Sequence, residues 1–233
     1  MRLGLLVCDH VVERFRHLTG DYPELFAEML RPCSPWIEWR IYDVSAGHLP
    51  AHVEECDAYV TTGSRASVYE NLEWIGRLKD FIRLAYRKDK PIVGICFGHQ
   101  VIADALGGRV EKSTTGWGVG VHGVNLLRYE NWMRPFEEQD NLLYMHQDQV
   151  VQLPHGSVVL GWSDHCPLAM YRIGETMLGI QAHPELSWPY IEAVLHDRRE
   201  LIGEAKVKAA LSWLSYRTHE PAVAQWIVNF LSR

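Results

Sequence analysis

Apolar and polar positions alternate along this 233-residue chain with a period that shifts repeatedly, and the shifts divide it into three stretches. In the first stretch, the run from Arg2 to Cys8 is short, apolar and branched, and predicts a buried strand. Residues 9–21 are polar and predict an irregular loop at its C-terminal end. Leu25, Phe26, Met29 and Leu30 recur at helical spacing, with Pro23 in the first turn and Pro32 and Pro35 closing the segment. From Trp36 to Val44 the period is two, with Ile37, Trp39 and Ile41 on one face. Asp57 to Thr61 predicts a third strand entering a turn at Thr62-Gly63-Ser64. Leu72, Ile75, Leu78, Ile82 and Ala85 mark a helix over 71–88, on which Glu73 and Arg77 are placed as an i,i+4 pair. Ile92 to Ile95 is a fourth strand. Val101, Ile102, Ala105 and Leu106 then mark a helix that Gly107-Gly108 stops.

From Arg109 the pattern changes. Residues 109–113, 119–128, 142–146, 157–162, 168–173 and 177–181 are short apolar or alternating runs separated by Gly, Asn, Pro and Asp. Without helices between them, they predict antiparallel strands added to a parallel sheet, with a hairpin turn over Arg172 to Met177. The last stretch is helical. Ser187 is placed to cap a helix with Pro189 in its first turn and Ile191, Val194, Leu195 and Ile202 on its face. Val207, Ala210, Leu211 and Leu214 mark a second helix, and Pro221 opens a third carrying Val223, Trp226, Ile227, Phe230 and Leu231. This tail reads as a packing layer. The whole is an α/β chain: residues 1–186 form the main domain, and the helices of 187–233 pack on it.

Composition narrows the class. The formal charge of −6, with no Lys/Arg tract, argues against nucleic acid or an anionic membrane surface as partner. No stretch approaches the ~20 apolar residues of a membrane span. The N-terminal apolar run is too short for a signal peptide, so a cytoplasmic location is expected. Five scattered cysteines form neither a disulfide framework nor a zinc signature, and the histidines have no metal-ligand spacing.

One cysteine stands apart. Cys96 lies between Gly94 and Gly98 at a strand-to-helix turn, the arrangement of a nucleophile elbow with sulfur in place of a hydroxyl. The glycines permit a sharp turn, and the positive end of a helix favours a thiolate. A cysteine nucleophile needs a base, and the base needs an orienting acceptor. His183, just past the predicted strand 177–180, fits the first role. Pro184 holds its backbone extended, which puts Glu185 on the same face as His183. Gly63, at the end of another strand, and Phe97, next to the cysteine, are placed to offer backbone N–H groups to an oxyanion. Cys8 and the His165-Cys166 pair lack the glycine-flanked turn. Trp117 and Trp132 fall in loop-like stretches, either packing or bordering a pocket.

Gly94-Ile-Cys96-Phe-Gly98-His-Gln100, Gln181-Ala-His183-Pro-Glu185, Thr62-Gly63-Ser64 and Tyr144-Met-His146-Gln-Asp148 together resemble the class I (triad) glutamine amidotransferase family. Gly63 to Tyr69 and Gly107 to Val110 are similar to its stand-alone, GMP-synthase-like members. The resemblance implies a flavodoxin-like three-layer α/β/α sandwich and a glutamine side-chain amide as substrate. It implies Cys96 as nucleophile, His183 as base and acid, and Glu185 as orienter, with Gly63 and Phe97 as the oxyanion hole. It also implies Gln100, His146, Gln147 and Asp148 as substrate-binding residues, and no metal or organic cofactor. Gln147 departs from the commoner His-Gly-Asp, and Ala182 from Gln-Phe-His. Ammonia released from glutamine would pass to a separate synthetase partner. The same triad also suits hydrolysis of γ-glutamyl peptides, and a non-catalytic binding module is a third reading.

Overall fold

Alternate residues of the first strand, β1 (Arg2–Val7), feed two different cores. Leu3, Leu5 and Val7 enter one, and Leu6, with Cys8 just beyond the strand, enters the other. That alternation makes the sheet the middle of three layers. The computed structural model describes residues 1–136, 139–213 and 218–233. After β1 come α1 (Arg16–Thr19), α2 (Tyr22–Leu30), β2 (Glu38–Asp43), β3 (Ala58–Thr61), α3 (Glu73–Arg87), β4 (Ile92–Ile95) and α4 (Phe97–Ala105). The middle stretch supplies β5 (Arg109–Lys112), β6 (Gly118–Leu126), β7 (Gln139–His146), β8 (Asp148–Gln152), β9 (Ser157–Trp162), β10 (Met170–Ile173) and β11 (Met177–Ile180). The tail supplies α5 (Trp188–Asp197), α6 (Arg199–Ile202), α7 (Glu204–Ser212) and α8 (Glu220–Leu231).

The main sheet has nine strands in the order β2-β1-β3-β4-β11-β10-β9-β6-β7. Pairing is parallel from β2 to β11 and antiparallel from β11 to β7. The expected α/β sandwich with antiparallel strands appended is therefore present. Helices α3 and α4 bring residues to one core; α2, α5, α7 and α8 bring residues to the other. Full burial of a large apolar side chain such as Phe26 or Trp226 contributes ~1.5–3 kcal/mol.

Several local expectations differ from the structure. The stretch 9–21 is not wholly irregular, because it holds a 3-10 turn at Glu13–Phe15 and the single turn α1. Asp21 then starts α2 with a reciprocal capping box to Glu24. Leu72 precedes α3 and is exposed, and Phe81 takes a buried place in the stripe. Arg77 donates to the Gly47 carbonyl instead of pairing with Glu73. Strand β8 was not expected. It pairs with β5 in a separate two-stranded ribbon, so not every added strand joins the main sheet. The strand foreseen from Leu168 begins at Met170. Ser187 stands at the α5 N-cap, but its hydroxyl donates to Thr19 Oγ1 and makes no cap bond. Ile202 falls on α6 because α5 ends at Asp197. Leu214 lies outside the described residues.

The tightest packing lies where β4 meets α4. A Cβ on Gly94 would sit 2.3 Å from the Gly98 carbonyl carbon and oxygen, and one on Gly98 would sit 2.2 Å from Thr61 Oγ1. Helix and strands thus touch backbone to backbone. Gly98→Ala is expected to cost at least ~3 kcal/mol, at or beyond the usual overpacking range, because the Thr61 carbonyl also stands in the way. The urea unfolding midpoint measures this; a shift worth under ~1 kcal/mol would show that the contact relaxes easily.

Candidate active site

Three strands end at one level. Register aligns Thr61 with Gly94 and Ile95 with Ile180. The chain leaving β3 becomes Thr62-Gly63, that leaving β4 becomes Cys96, and that leaving β11 becomes Gln181 to Glu185. Ligands and reacting groups gather at such strand ends in open α/β sheets.

Cys96 has φ 53° and ψ −101°, and Asp89 is the other non-glycine residue of positive φ among those described. Holding such a conformation costs ~1–3 kcal/mol. Its neighbours fix it: Cys96 N–H donates to the Ile180 carbonyl at 2.9 Å, and its carbonyl accepts from Gln100 N–H at 3.1 Å. Phe97 is the first residue of α4, so its N–H has no intrahelical acceptor.

His183 and Glu185 meet, as expected, across a chain that bends at Pro184 and Glu185. His183 Nδ1 and Glu185 Oε1 are 2.7 Å apart, and both side chains are buried. The His183 N–H donates to the Leu143 carbonyl at 2.8 Å, which anchors the segment to β7. A Cβ on Gly63 would lie 2.9 Å from His183 Cε1 and 3.7 Å from Cys96 Cβ. The structure therefore brings Gly63, Cys96 and His183 together, with Glu185 behind the imidazole. Burial pushes the His183 pKa down, but the adjacent Cys96 and Glu185 outweigh it and hold the value well above the usual histidine range. Burial pushes both Cys8 and Cys166 up to about 12.

A cavity of about 260 Å³ opens beside Cys96, bordered by Gln100, His146, Gln147 and Asp148. Gln100 is also a brace. Its amide nitrogen donates to the Asp148 carbonyl at 2.7 Å and to Gln181 Oε1 at 3.1 Å. The Asp148 carboxylate accepts from Ser67 Oγ and from Tyr69 Oη at 3.0 Å. His146 is buried and held well below its usual pKa, first by burial and then by His165 and His183. Among the described residues, Gln181 Nε2, His146 Nδ1 and Glu185 Oε2 are buried without a hydrogen-bond partner. Such orphaned atoms cost ~1–3 kcal/mol each. Of the three, His146 borders the cavity, while Gln181 and Glu185 flank His183 in sequence.

Trp117, one of the two loop tryptophans noted in the sequence, borders the same cavity. Other residues here escaped sequence reasoning: Lys112, Arg198 and Leu201 also border it. The tail is thus more than a packing layer: the α5–α6 junction supplies Arg198 to the cavity wall. Trp132 is buried and stacks edge-on against Phe230. Arg65 donates twice through its side chain to the Asp9 carboxylate, fixing the loop after Gly63. The stretch Gly63 to Tyr69 was visible in the sequence, but its partners Asp9 and Asp148 are 56 and 79 residues away from Arg65 and Tyr69. A second, smaller cavity of about 50 Å³ lies on another side of Cys96, bordered by His10, Tyr22, His183 and Tyr190.

The same fold occurs in solved glutamine amidotransferases. One from Thermotoga maritima superposes with a TM-score of 0.76 at 19% identity, over 99% of this chain and 96% of that one. Another from Methylobacillus flagellatus gives 0.74 at 19% identity, over 100% and 92%. The family model "Glutamine amidotransferase class-I" matches residues 43–190, and the chain belongs to that family. Gamma-glutamyl peptidase 4 of Arabidopsis thaliana is 31% identical over 71% of this chain and 68% of its own length. A glutamine amidotransferase-like protein of Schizosaccharomyces pombe is 29% identical over 98% of both. A glutamine-hydrolyzing GMP synthase of Pyrobaculum aerophilum is 30% identical over 72% of this chain, which spans 31% of that protein. Among the described residues, no helix is long and apolar enough to cross a membrane.

The raised His183 value has a stability consequence with a definite sign. A proton held more tightly in the folded state stabilises fully below the unfolded histidine value of ~6.5. That stabilisation is lost as pH rises through the folded value. Glu185→Gln removes one of the two groups that raise it. The loss in unfolding free energy is expected to be larger at about pH 6 than at about pH 9. Equal losses at both would show that Glu185 does not help His183 hold its proton.

Proposed function

We propose that this protein hydrolyses the γ-amide of glutamine through a covalent Cys96 intermediate. The observation that carries the reading is the strained Cys96 turn beside the buried His183–Glu185 pair, at the mouth of a polar cavity. His183 takes the thiol proton, and the Cys96 sulfur attacks the carboxamide carbon. The carbonyl oxygen becomes an oxyanion between the N–H groups of Gly63 and Phe97, each such donor being worth ~3 kcal/mol. His183 then protonates the leaving nitrogen, the C–N bond breaks, and ammonia departs from a γ-glutamyl thioester. Water, deprotonated by His183, attacks the thioester and releases glutamate and the thiol. Glu185 keeps the imidazole oriented throughout.

The wall formed by Gln100, His146, Gln147 and Asp148 holds the amino-acid end of the glutamyl group. Asp148, fixed by Ser67 and Tyr69, faces the α-ammonium. Ammonia is passed to a separate acceptor protein, a reading supported by the similarity to glutamine-hydrolyzing GMP synthases. A second reading has a specific observation in its favour. The small cavity by His10, Tyr22 and Tyr190 gives room beside Cys96 for a leaving group larger than ammonia. The similarity to gamma-glutamyl peptidases points the same way. In that reading the same steps release the amine of a γ-glutamyl peptide.

A glutamine-analogue electrophile is expected to add one equivalent of label at Cys96, found by peptide mass spectrometry. Cys96→Ala is expected to abolish it and to lower turnover by at least ~10³-fold. Absence of a Cys96 adduct would sink the enzymatic reading. Comparing kcat/KM for glutamine and for γ-glutamyl dipeptides then decides the leaving group: much faster dipeptide cleavage would replace the first reading with the second.

A further inference from the structure

The parallel half of the main sheet ends at β2, whose outer edge no other strand of the described residues covers. The hydrogen-bonding phase of that edge is fixed. Glu38 N–H donates to the Met1 carbonyl, and Val44 N–H donates to the Val7 carbonyl, so even-numbered residues face β1. The N–H and C=O groups of Ile37, Trp39 and Ile41 therefore point outward. Side chains at this edge are open too: Trp36 is 87% exposed and Ile41 48%. The side chains of Glu38 and Arg40 are 56% and 57% exposed.

Edges are normally guarded by charges that repel a second strand. Here the two charges are opposite in sign and two residues apart; in the single chain Arg40 and Arg2 both bond Glu38, at 3.3 and 3.2 Å, and the two-residue spacing lets a second copy make the Glu38–Arg40 contact across the joint. Antiparallel pairing of β2 with β2 of a second copy must place outward-facing residues opposite each other. A twofold axis at Trp39 sets Trp39 against its symmetry mate and Ile37 against Ile41, each pair exchanging both backbone bonds. Glu38 then lies opposite Arg40 twice over, in the non-hydrogen-bonded positions where side chains come closest. Trp36 falls opposite Tyr42. Other registers fit worse. An axis at Ile37 sets Pro35, which has no N–H, against Trp39. An axis at Ile41 sets Arg40 against Tyr42 and leaves Glu38 without it.

We infer that β2 is an isologous interface between two copies of this chain, paired antiparallel about Trp39 and locked by reciprocal Glu38–Arg40 contacts. The combined sheet runs continuously through both copies. Because the pairing is antiparallel, the catalytic strand ends open at opposite edges of it, three strands removed from the joint, and both cavities stay accessible.

Sedimentation velocity over a dilution series tests this with the intact protein. A dimer is expected. Arg40→Glu sets like charges against each other twice and is expected to weaken it ~10-fold or more. Adding Glu38→Arg to that variant restores opposite charges and is expected to restore the dimer. Ile41→Pro removes an N–H that faces solvent in the single chain, so thermal unfolding should move little while the dimer is lost. A monomer at every concentration overturns the inference. So does a dimer that withstands Arg40→Glu and Ile41→Pro, or one that the double charge reversal fails to restore.

Discussion

The backbone at Cys96 is the constraint on which the rest of the molecule depends. A non-glycine residue is held at positive φ by bonds to Ile180 on one side and Gln100 on the other. The turn exists only because Gly94 and Gly98 let strand β4, helix α4 and strand β3 approach to distances no side chain would allow. Those contacts set the level at which the three strands end. They thereby bring Gly63 and His183 to the sulfur. The hydrophobic cores on both faces of the sheet supply the free energy that keeps a strained turn from relaxing.

The groups beside Cys96 set it apart from the other buried thiols. Cys8 and Cys166 are also buried, and their surroundings push them to about 12, where they are inert. Cys96 differs by what lies beside it: an imidazole oriented by a buried carboxylate. Burial would by itself strip the proton from that imidazole, as it does for His99, whose pKa it lowers to about 3. His183 keeps its proton affinity because its neighbours outweigh burial. Two buried histidines of one fold are thus shifted in opposite directions for an identifiable reason.

Much of this was legible in the residues. The β4–α4 elbow was, because glycine spacing, a short branched run and helical periodicity all agree there. The pairing of His183 with Glu185 followed from Pro184 and the two-residue period. Other features were not legible, because they depend on contacts far apart in sequence. Strand β8 is only five residues long, and its pairing with β5 is antiparallel across an intervening hairpin. Arg77 prefers a loop carbonyl to its helical neighbour. Arg198 looks like any polar residue at the end of an amphipathic helix, and only the folded chain puts it against the cavity. Local pattern specifies elements; which polar side chains line a concavity is decided by how the layers close.

Gln100 ties these parts into one mechanical unit. One amide group gives one N–H to the Asp148 carbonyl and the other to the Gln181 side chain, so one side chain serves the ribbon at one end of the cavity and the segment leading to His183 at the other. Linkage makes such an arrangement reciprocal. A ligand that draws Asp148 inward tightens or loosens the hold on Gln181, and a shift of the imidazole segment changes affinity at Asp148 by the same free energy. Through this one side chain, the cavity wall at Asp148 and the segment bearing His183 are mechanically joined.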